Sequence, residues 1–487
     1  MLKRQSLTKN YIFQFTYQIL ITFVPLIISP YLTRTIGDRG LGVFSFSYSI
    51  AYYFVLFAML GIVKYGQRLI SENRQDGSKL RKSFWSLYSL HAFVSLISVF
   101  AYLCYVHFFI HEDKIIHYIH TIYVVSALFD ITWFFYGIEN FQSVVIKNAV
   151  IKVCECILIF LLVKKETDLW KYTMIVSVGF ALGQMVMLPQ AIMMVNPIRF
   201  SWSDVKVHIK PMFVLSIAVV AVSLYTVFDK TLLGIMTTKE NVAYYEYSNK
   251  IISIPKSIIS VIGTVTFPRA CRLVNEGDTV GLQKRMLDTV LLVCIIGFGA
   301  IFGLCAVADP LAVLYYGESF ATCGGVIKSL TPIIVIVELG SILRMQYLIP
   351  MKMDKSYTIC ICLNSAVNVV LSMSLIRFIG IYGAVIGTMA AELFGLVYQM
   401  HLCREVISWR NIFREAIPFC LIGFVMFGIV RIAYSMLGHS IKSLVLVILL
   451  GALVYLAGSL LFLALYRKQY YHSIKGKLIG IKKRLMK

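Results

Sequence analysis

The segment SLVLVILLGALVYLAGSLLFLAL (Ser443–Leu465) holds neither a charged residue nor a proline. A second, LDTVLLVCIIGFGAIFGLCAVA (Leu287–Ala308), admits a single acid, Asp288. Each has the length needed to cross a hydrocarbon core about 30 Å thick as a helix rising 1.5 Å per residue. Inside lipid every backbone amide must be satisfied within its own segment, so such stretches form transmembrane helices. Working outward, the same rhythm recurs along nearly the whole chain. Spans centre on 12–33, 42–63, 84–106, 116–137, 143–163, 170–193, 208–233, 248–268, 324–348, 357–376, 381–402 and 415–436, which with the two quoted make about fourteen. The fold class is therefore an all-α integral membrane protein.

Composition agrees. Hydrophobic residues make up 59% of 487 and charged residues only 14%, about half the share in a soluble domain. Mean hydropathy is +0.79. A net charge of +22 would suggest nucleic acid in a soluble protein. Here Lys and Arg gather in alternate loops, as cytoplasmic loops do, so the partners are anionic lipids and no nucleic acid is expected. The richer side holds the N-terminus, the loops around Lys79–Lys82, Lys206–Lys210, Lys284–Arg285 and Arg404–Arg414, and the tail to Lys487. The bias is roughly three to one and puts both termini in the cytoplasm. Lys3, Arg4 and Lys9 precede an apolar run with Pro25 and Pro30 and no A-x-A site, which reads as a retained first helix. In the tail, Ile474, Leu478, Ile481 and Leu485 among lysines suit an amphipathic helix lying on the membrane.

Eleven cysteines show no disulfide or metal framework. His107, His111, His117 and His120 cluster near Glu112 and Asp113 but read as an interfacial polar loop. No P-loop is present, so ATP is not the evident energy source, and no cofactor is expected. Loops are too short for an extramembrane domain. The polar junctions Asn196–Lys210 and Cys403–Glu415 divide the chain into 1–200 with six spans, 201–406 with six, and 407–487 with two spans and the basic tail. Six-span halves suit a transporter built from parallel repeats.

Charges inside spans are costly and mark function or pairing. Lys152 and Glu155 stand three apart on one helical face, as an ion pair or as a working site. Adjacent Asp229 and Lys230 diverge around the helix, so each needs its own partner; Glu246 and Lys250 have pairing distance at i, i+4. Lys256 has no acid within helical reach, which points to an anionic ligand. Asp130, before Trp133-Phe134-Phe135-Tyr136, could cap, pair or titrate.

Several motifs, in order, resemble bacterial polysaccharide flippases of the Wzx-like group, in the multidrug/oligosaccharidyl-lipid/polysaccharide exporter superfamily. They are PYLTRTIG from Pro30 to Gly37 with Gly40 and Gly42, and GIVKYGQR from Gly61 to Arg68. Further along stand FDITWFFYGIE from Phe129 to Glu139, FDKTLLG from Phe228 to Gly234 with YYEYSNK from Tyr244 to Lys250, and Pro268-Arg269. The resemblance implies two six-helix lobes around a central cavity plus two C-terminal helices. It implies transfer of a polyprenyl-pyrophosphate-linked oligosaccharide (an O-antigen, capsule or exopolysaccharide unit) from the inner to the outer leaflet of the bacterial cytoplasmic membrane. Alternating access coupled to a proton or sodium ion, and partnership with a glycan polymerase and chain-length machinery, belong to the same expectation. The carried-over positions are Arg34, Lys64, Arg68, Asp130, Asp229, Lys230 and Lys250. With Lys152 and Lys256 the basic ones would meet pyrophosphate, while Asp130, Glu155 and Asp229 would serve coupling or charge pairing. A multidrug or metabolite cation antiporter is the alternative on this architecture. A membrane glycosyltransferase or polymerase is less favoured, because neither a D-x-D site nor a large extracytoplasmic loop is present, and no enzyme activity is expected.

Overall fold

The computed structural model describes residues 23–438 and 440–468. The start of the first expected span and the amphipathic tail from residue 469 onward lie outside the described residues. The described chain is helical throughout. Helix α1 covers residues 23–35, followed by α2 (Gly37–Met59), α3 (Ile62–Asn73), α4 (Gly77–Phe109), α5 (Lys114–Ser126) and α6 (Thr132–Gly137). Then come α7 (Phe141–Leu162), α8 (Leu169–Met185), α9 (Met187–Met194), α10 (Trp202–Met236), α11 (Lys239–Asn275) and α12 (Thr279–Leu311). The series ends with α13 (Thr322–Leu330), α14 (Ile333–Leu343), α15 (Asp354–Ile379), α16 (Ile381–Leu402), α17 (Trp409–Leu437) and α18 (Ile441–Tyr466). Among the described residues, eleven helical segments are long and apolar enough to cross a membrane. The other expected spans coincide with α1, α7 and α10; α7 is a continuous helix whose apolar run carries Lys147, Lys152 and Glu155.

Helix starts carry their own polar caps, which satisfy the N–H groups orphaned there. Asp76 accepts from the Ser78 and Lys79 amides at 3.0 and 3.1 Å. Asn140 caps α7 through the Ser143 amide, Ser201 and Asp204 form a capping box on α10, and Asp278 caps α12 through Gly281 at 2.7 Å.

The chain forms two compact units. The first comprises Met1–Tyr247 with Asn368–Gly387. Its core is aromatic: Phe84, Trp133, Phe134 and Phe135 are fully buried, and the Trp133 ring stacks on Phe84 at 5.4 Å. Gly66 makes room for that indole, since a Cβ there would lie 2.7 Å from the ring. On one face of this unit, Lys82 pairs with Asp204 at 3.0 Å and Arg74 with Glu139 at 2.7 Å. On the opposite face, the first turn of α2 meets the start of α11. There Tyr244 donates to Asp38 at 2.5 Å, and a Cβ on Gly42 would fall 1.8 Å from the Lys239 carbonyl oxygen.

The second unit comprises Ser248–Val367 with Thr388–Lys487. Its core joins α12, α17 and α18 through Val307, Met426, Val430, Val447 and Tyr455. A buried amide, Gln346 Nε2, donates to Thr266 at 2.8 Å and Thr289 at 2.9 Å, tying α11 and α12 to the π turn Arg344–Leu348.

Candidate functional site

The span 114–137 is discontinuous. Helix α5 stops at Ser126, Ala127–Phe129 make one 3-10 turn, and Asp130 is extended at φ −76°, ψ 99°. Asp130 Oδ1 restarts the helix by accepting from the Thr132 amide at 2.9 Å and the Thr132 hydroxyl at 2.6 Å. Its Oδ2 accepts from Gln184 Nε2 at 3.3 Å, and Gln184 Oε1 in turn accepts from Lys147 Nζ at 3.1 Å. His91 Nε2 donates to the Ala127 carbonyl at 2.7 Å, bracing the break from α4. Such a break turns backbone groups away from their own helix, the arrangement that holds small ions in transporters.

Two ion pairs lie nearby in the same unit. Lys152 Nζ meets Glu155 Oε2 at 2.7 Å, with side chains 31% and 7% exposed. Glu155 fits against α8 only because residue 179 is glycine: a Cβ there would sit 2.2 Å from its Oε1. Lys230 Nζ meets Glu246 Oε2 at 3.0 Å across the α10–α11 hairpin. Both pairs belong to the first unit. The surroundings of Lys152 are aromatic. Tyr48 stacks on Tyr123 at 4.9 Å, Phe44 packs on Tyr172 at 4.5 Å, and Lys152 Nζ lies 5.8 Å from the Phe180 centroid. The result is a set of paired ammonium groups among ring faces and hydroxyls, a chemistry suited to phosphate and to sugar.

Asp229 points elsewhere. It is buried and accepts from Tyr245 at 2.9 Å, Asn368 at 3.4 Å and Ser372 at 3.0 Å, joining α10, α11 and α15. Arg34 is exposed and donates to the Pro30 carbonyl at 2.9 Å. Lys64 and Arg68 are also exposed; Arg68 stands 3.8 Å from Glu72. Lys250 and Lys256 belong to the second unit and are half-buried. Glu338, itself buried, is the carboxylate whose charge acts on Lys256. The structure therefore pairs Lys152 with Glu155 and Lys230 with Glu246, sets Asp130 in its own network, and leaves Arg34, Lys64 and Arg68 at surface positions. His117 and His120 are buried among aromatic rings.

Lys147, Gln184 and His91 escaped the reading of the sequence. Lys147 was within reach of it, as a charge inside an apolar span. Gln184 and His91 carry no such mark. In the second unit an apolar cavity of about 430 Å³ opens between α12, α17 and α18, with Gly299, Gly303 and Gly451 among its walls.

Residues 7–274 match the polysaccharide biosynthesis protein family, and the chain belongs to that family. Its relatives include the "Putative O-antigen transporter" of Shigella dysenteriae, 24% identical over 383 residues, covering 77% of this chain and 94% of that one. The protein of the same description from Escherichia coli (strain K12) is 20% identical over 396 residues, covering 80% and 94%. Among solved structures, the inward closed conformation of the lipid II flippase MurJ superposes with a TM-score of 0.75 at 16% identity, covering 94% of this chain and 99% of that one. An inward-facing multidrug resistance MATE family transporter of the MOP superfamily superposes with a TM-score of 0.58 at 13% identity, covering 80% and 95%. The fold is thus that of a multi-pass membrane transporter.

Proposed function

We propose that this protein is a flippase. It carries a polyprenyl-pyrophosphate-linked oligosaccharide from the inner to the outer leaflet of the bacterial cytoplasmic membrane by alternating access, with both termini in the cytoplasm. The observation that carries the reading is the pairing of two half-buried lysines with glutamates in one unit, the first of them beside aromatic rings, in a chain that covers 94% of each O-antigen transporter relative. A membrane interior tolerates ammonium groups only when they are paired. A pyrophosphate can take the place of each glutamate, and the rings offer faces to the sugars. Lys152 and Lys230 make the first phosphate contacts, and Lys250 and Lys256 make others. Arg34, Lys64 and Arg68 gather the anionic head group at the membrane faces.

Coupling follows from the same pairs. A proton or cation that neutralises a glutamate releases its lysine for phosphate. Asp130, at the break between α5 and α6 and within a network of neutral donors and Lys147, is the better coupling site; Asp229 acts chiefly by positioning α10, α11 and α15. The in vivo test is a cell from which the protein is removed. Lipid-linked glycan should then accumulate while surface glycan is lost, and the wild-type chain should restore display. If the chain with Lys250 and Lys256 both changed to Ala restores it equally, those two lysines do not bind phosphate. Normal display in cells lacking the protein would overturn the flippase reading.

A further inference from the structure

A separate charged pocket lies in the second unit, remote in sequence from the motifs. Asp309 near the end of α12 holds Lys328 of α13 at 2.5 Å. Arg431 of α17 stands 3.7 Å from the same carboxylate oxygen, beyond hydrogen-bonding reach. Helix α13 packs directly against Asp309 through Gly324, where a Cβ would lie 2.7 Å from its Oδ1. Two cations therefore share one acid, leaving one positive charge unmatched. Among the described residues Arg431 makes no hydrogen bond, so the five N–H groups of its guanidinium are unspent. The side chain is 51% exposed, yet it sits six residues before the end of α17, about 9 Å along the axis. Its surroundings are apolar: Phe302, Phe424, Phe427 and Cys305 line a cavity of about 330 Å³ with Lys328 and Arg431. Phe424 is 64% exposed and leaves the aromatic side of the cavity open. A guanidinium in that position needs an anion, and among the described residues it has only a share in the Asp309 carboxylate, which already holds Lys328.

We propose that this pocket binds the head group of an anionic phospholipid. The phosphate oxygens take the free N–H groups of Arg431 and the outer side of Lys328, as guanidinium–phosphate geometry favours. An acyl chain lies on the three phenylalanines. The unmatched single positive charge selects a lipid of net charge −1 over a zwitterionic one. Because an amphiphile satisfies both the cations and the aromatic wall, it binds where free phosphate does not.

The test uses the full chain in detergent micelles, with retained lipid counted by native mass spectrometry across a titration of phosphatidylglycerol. Wild type should hold phosphatidylglycerol about tenfold more tightly than R431Q, the effect of one charged hydrogen-bonding partner. K328Q should weaken it in the same direction. D309N, which removes the competing carboxylate, should tighten it several-fold, a change that impaired folding cannot mimic. Equal retention by wild type and R431Q, or unchanged retention by D309N, would overturn the site. Equal retention of phosphatidylethanolamine would overturn the selection for net charge. Displacement of the lipid by millimolar inorganic phosphate would show a free-anion site in place of a lipid site.

Discussion

Replacing Lys152 by Ala separates the structural part of the central ion pair from its transport part. The Glu155 side chain is 7% exposed and its oxygen lies 2.7 Å from Lys152 Nζ. Removing the lysine leaves a carboxylate in the interior of the unit, walled by the α8 backbone at Gly179. Breaking a buried pair from one side costs about 3–5 kcal/mol. Two effects reduce that figure here. Lys152 is 31% exposed, so the pair already has some contact with its surroundings. Moreover, the carboxyl can take up a proton, which at pH 7 costs a glutamate about 4 kcal/mol and caps the penalty. The expected loss for K152A is therefore about 2–3 kcal/mol. E155Q keeps an acceptor for Lys152 and should cost less. The double variant K152A/E155Q removes the stranded charge and should recover at least about 1 kcal/mol of the single-variant loss. Unfolding by sodium dodecyl sulfate titration in mixed micelles measures all three. The double variant should be folded yet inactive in glycan transfer, since its ammonium is gone. Strict additivity of the two stability losses would refute the pair as a coupled buried unit, and full transport by the double variant would refute its role with phosphate.

Other outcomes follow from single positions. G42A places a methyl group 1.8 Å from the Lys239 carbonyl oxygen; because the methyl is fixed to its own backbone and the atom it meets is backbone too, neither can turn aside, and the loss should exceed about 3 kcal/mol and appear as lack of folded protein on size-exclusion chromatography. D130N keeps the acceptor that restarts α6 through Thr132 but loses the charge. It should fold like wild type and lose ion-driven transport, whereas D130A should also lower the unfolding midpoint. Asp204, outside the spans, accepts from the Ser201 amide at 2.9 Å and pairs with Lys82, and these partners hold its carboxyl below the usual aspartate range. Its contribution is therefore fully present above that unfolded range and lost as the pH falls through the lower folded value. Acid titration followed by circular dichroism should show less loss of stability below pH 4 for D204N than for wild type.

The helical rhythm was legible because lipid leaves so few alternatives: a run such as Ser443–Leu465 has no other way to satisfy its backbone. The interruption at Asp130 was not. The run around it stays apolar, and the restart depends on Thr132, Gln184 and Lys147, which lie on other turns or other helices. Lys152 and Glu155 could be matched from spacing, because one helical turn joins them. The pairing of Glu246 with Lys230 crosses a hairpin, a contact that no periodicity within one segment contains. Glycines were readable as points of close approach in general. That Gly66 serves Trp133 and Gly179 serves Glu155 required the packing.

The most direct test of the central claim is reconstitution of the protein in liposomes carrying a fluorescent polyprenyl-pyrophosphate oligosaccharide, with an impermeant quencher outside. The account predicts that wild-type protein brings the inner-leaflet probe within reach of the quencher, and that K152Q and K230Q do not. A probe that stays protected with every lipid-linked glycan, while the same vesicles exchange a soluble organic cation for protons, would contradict it.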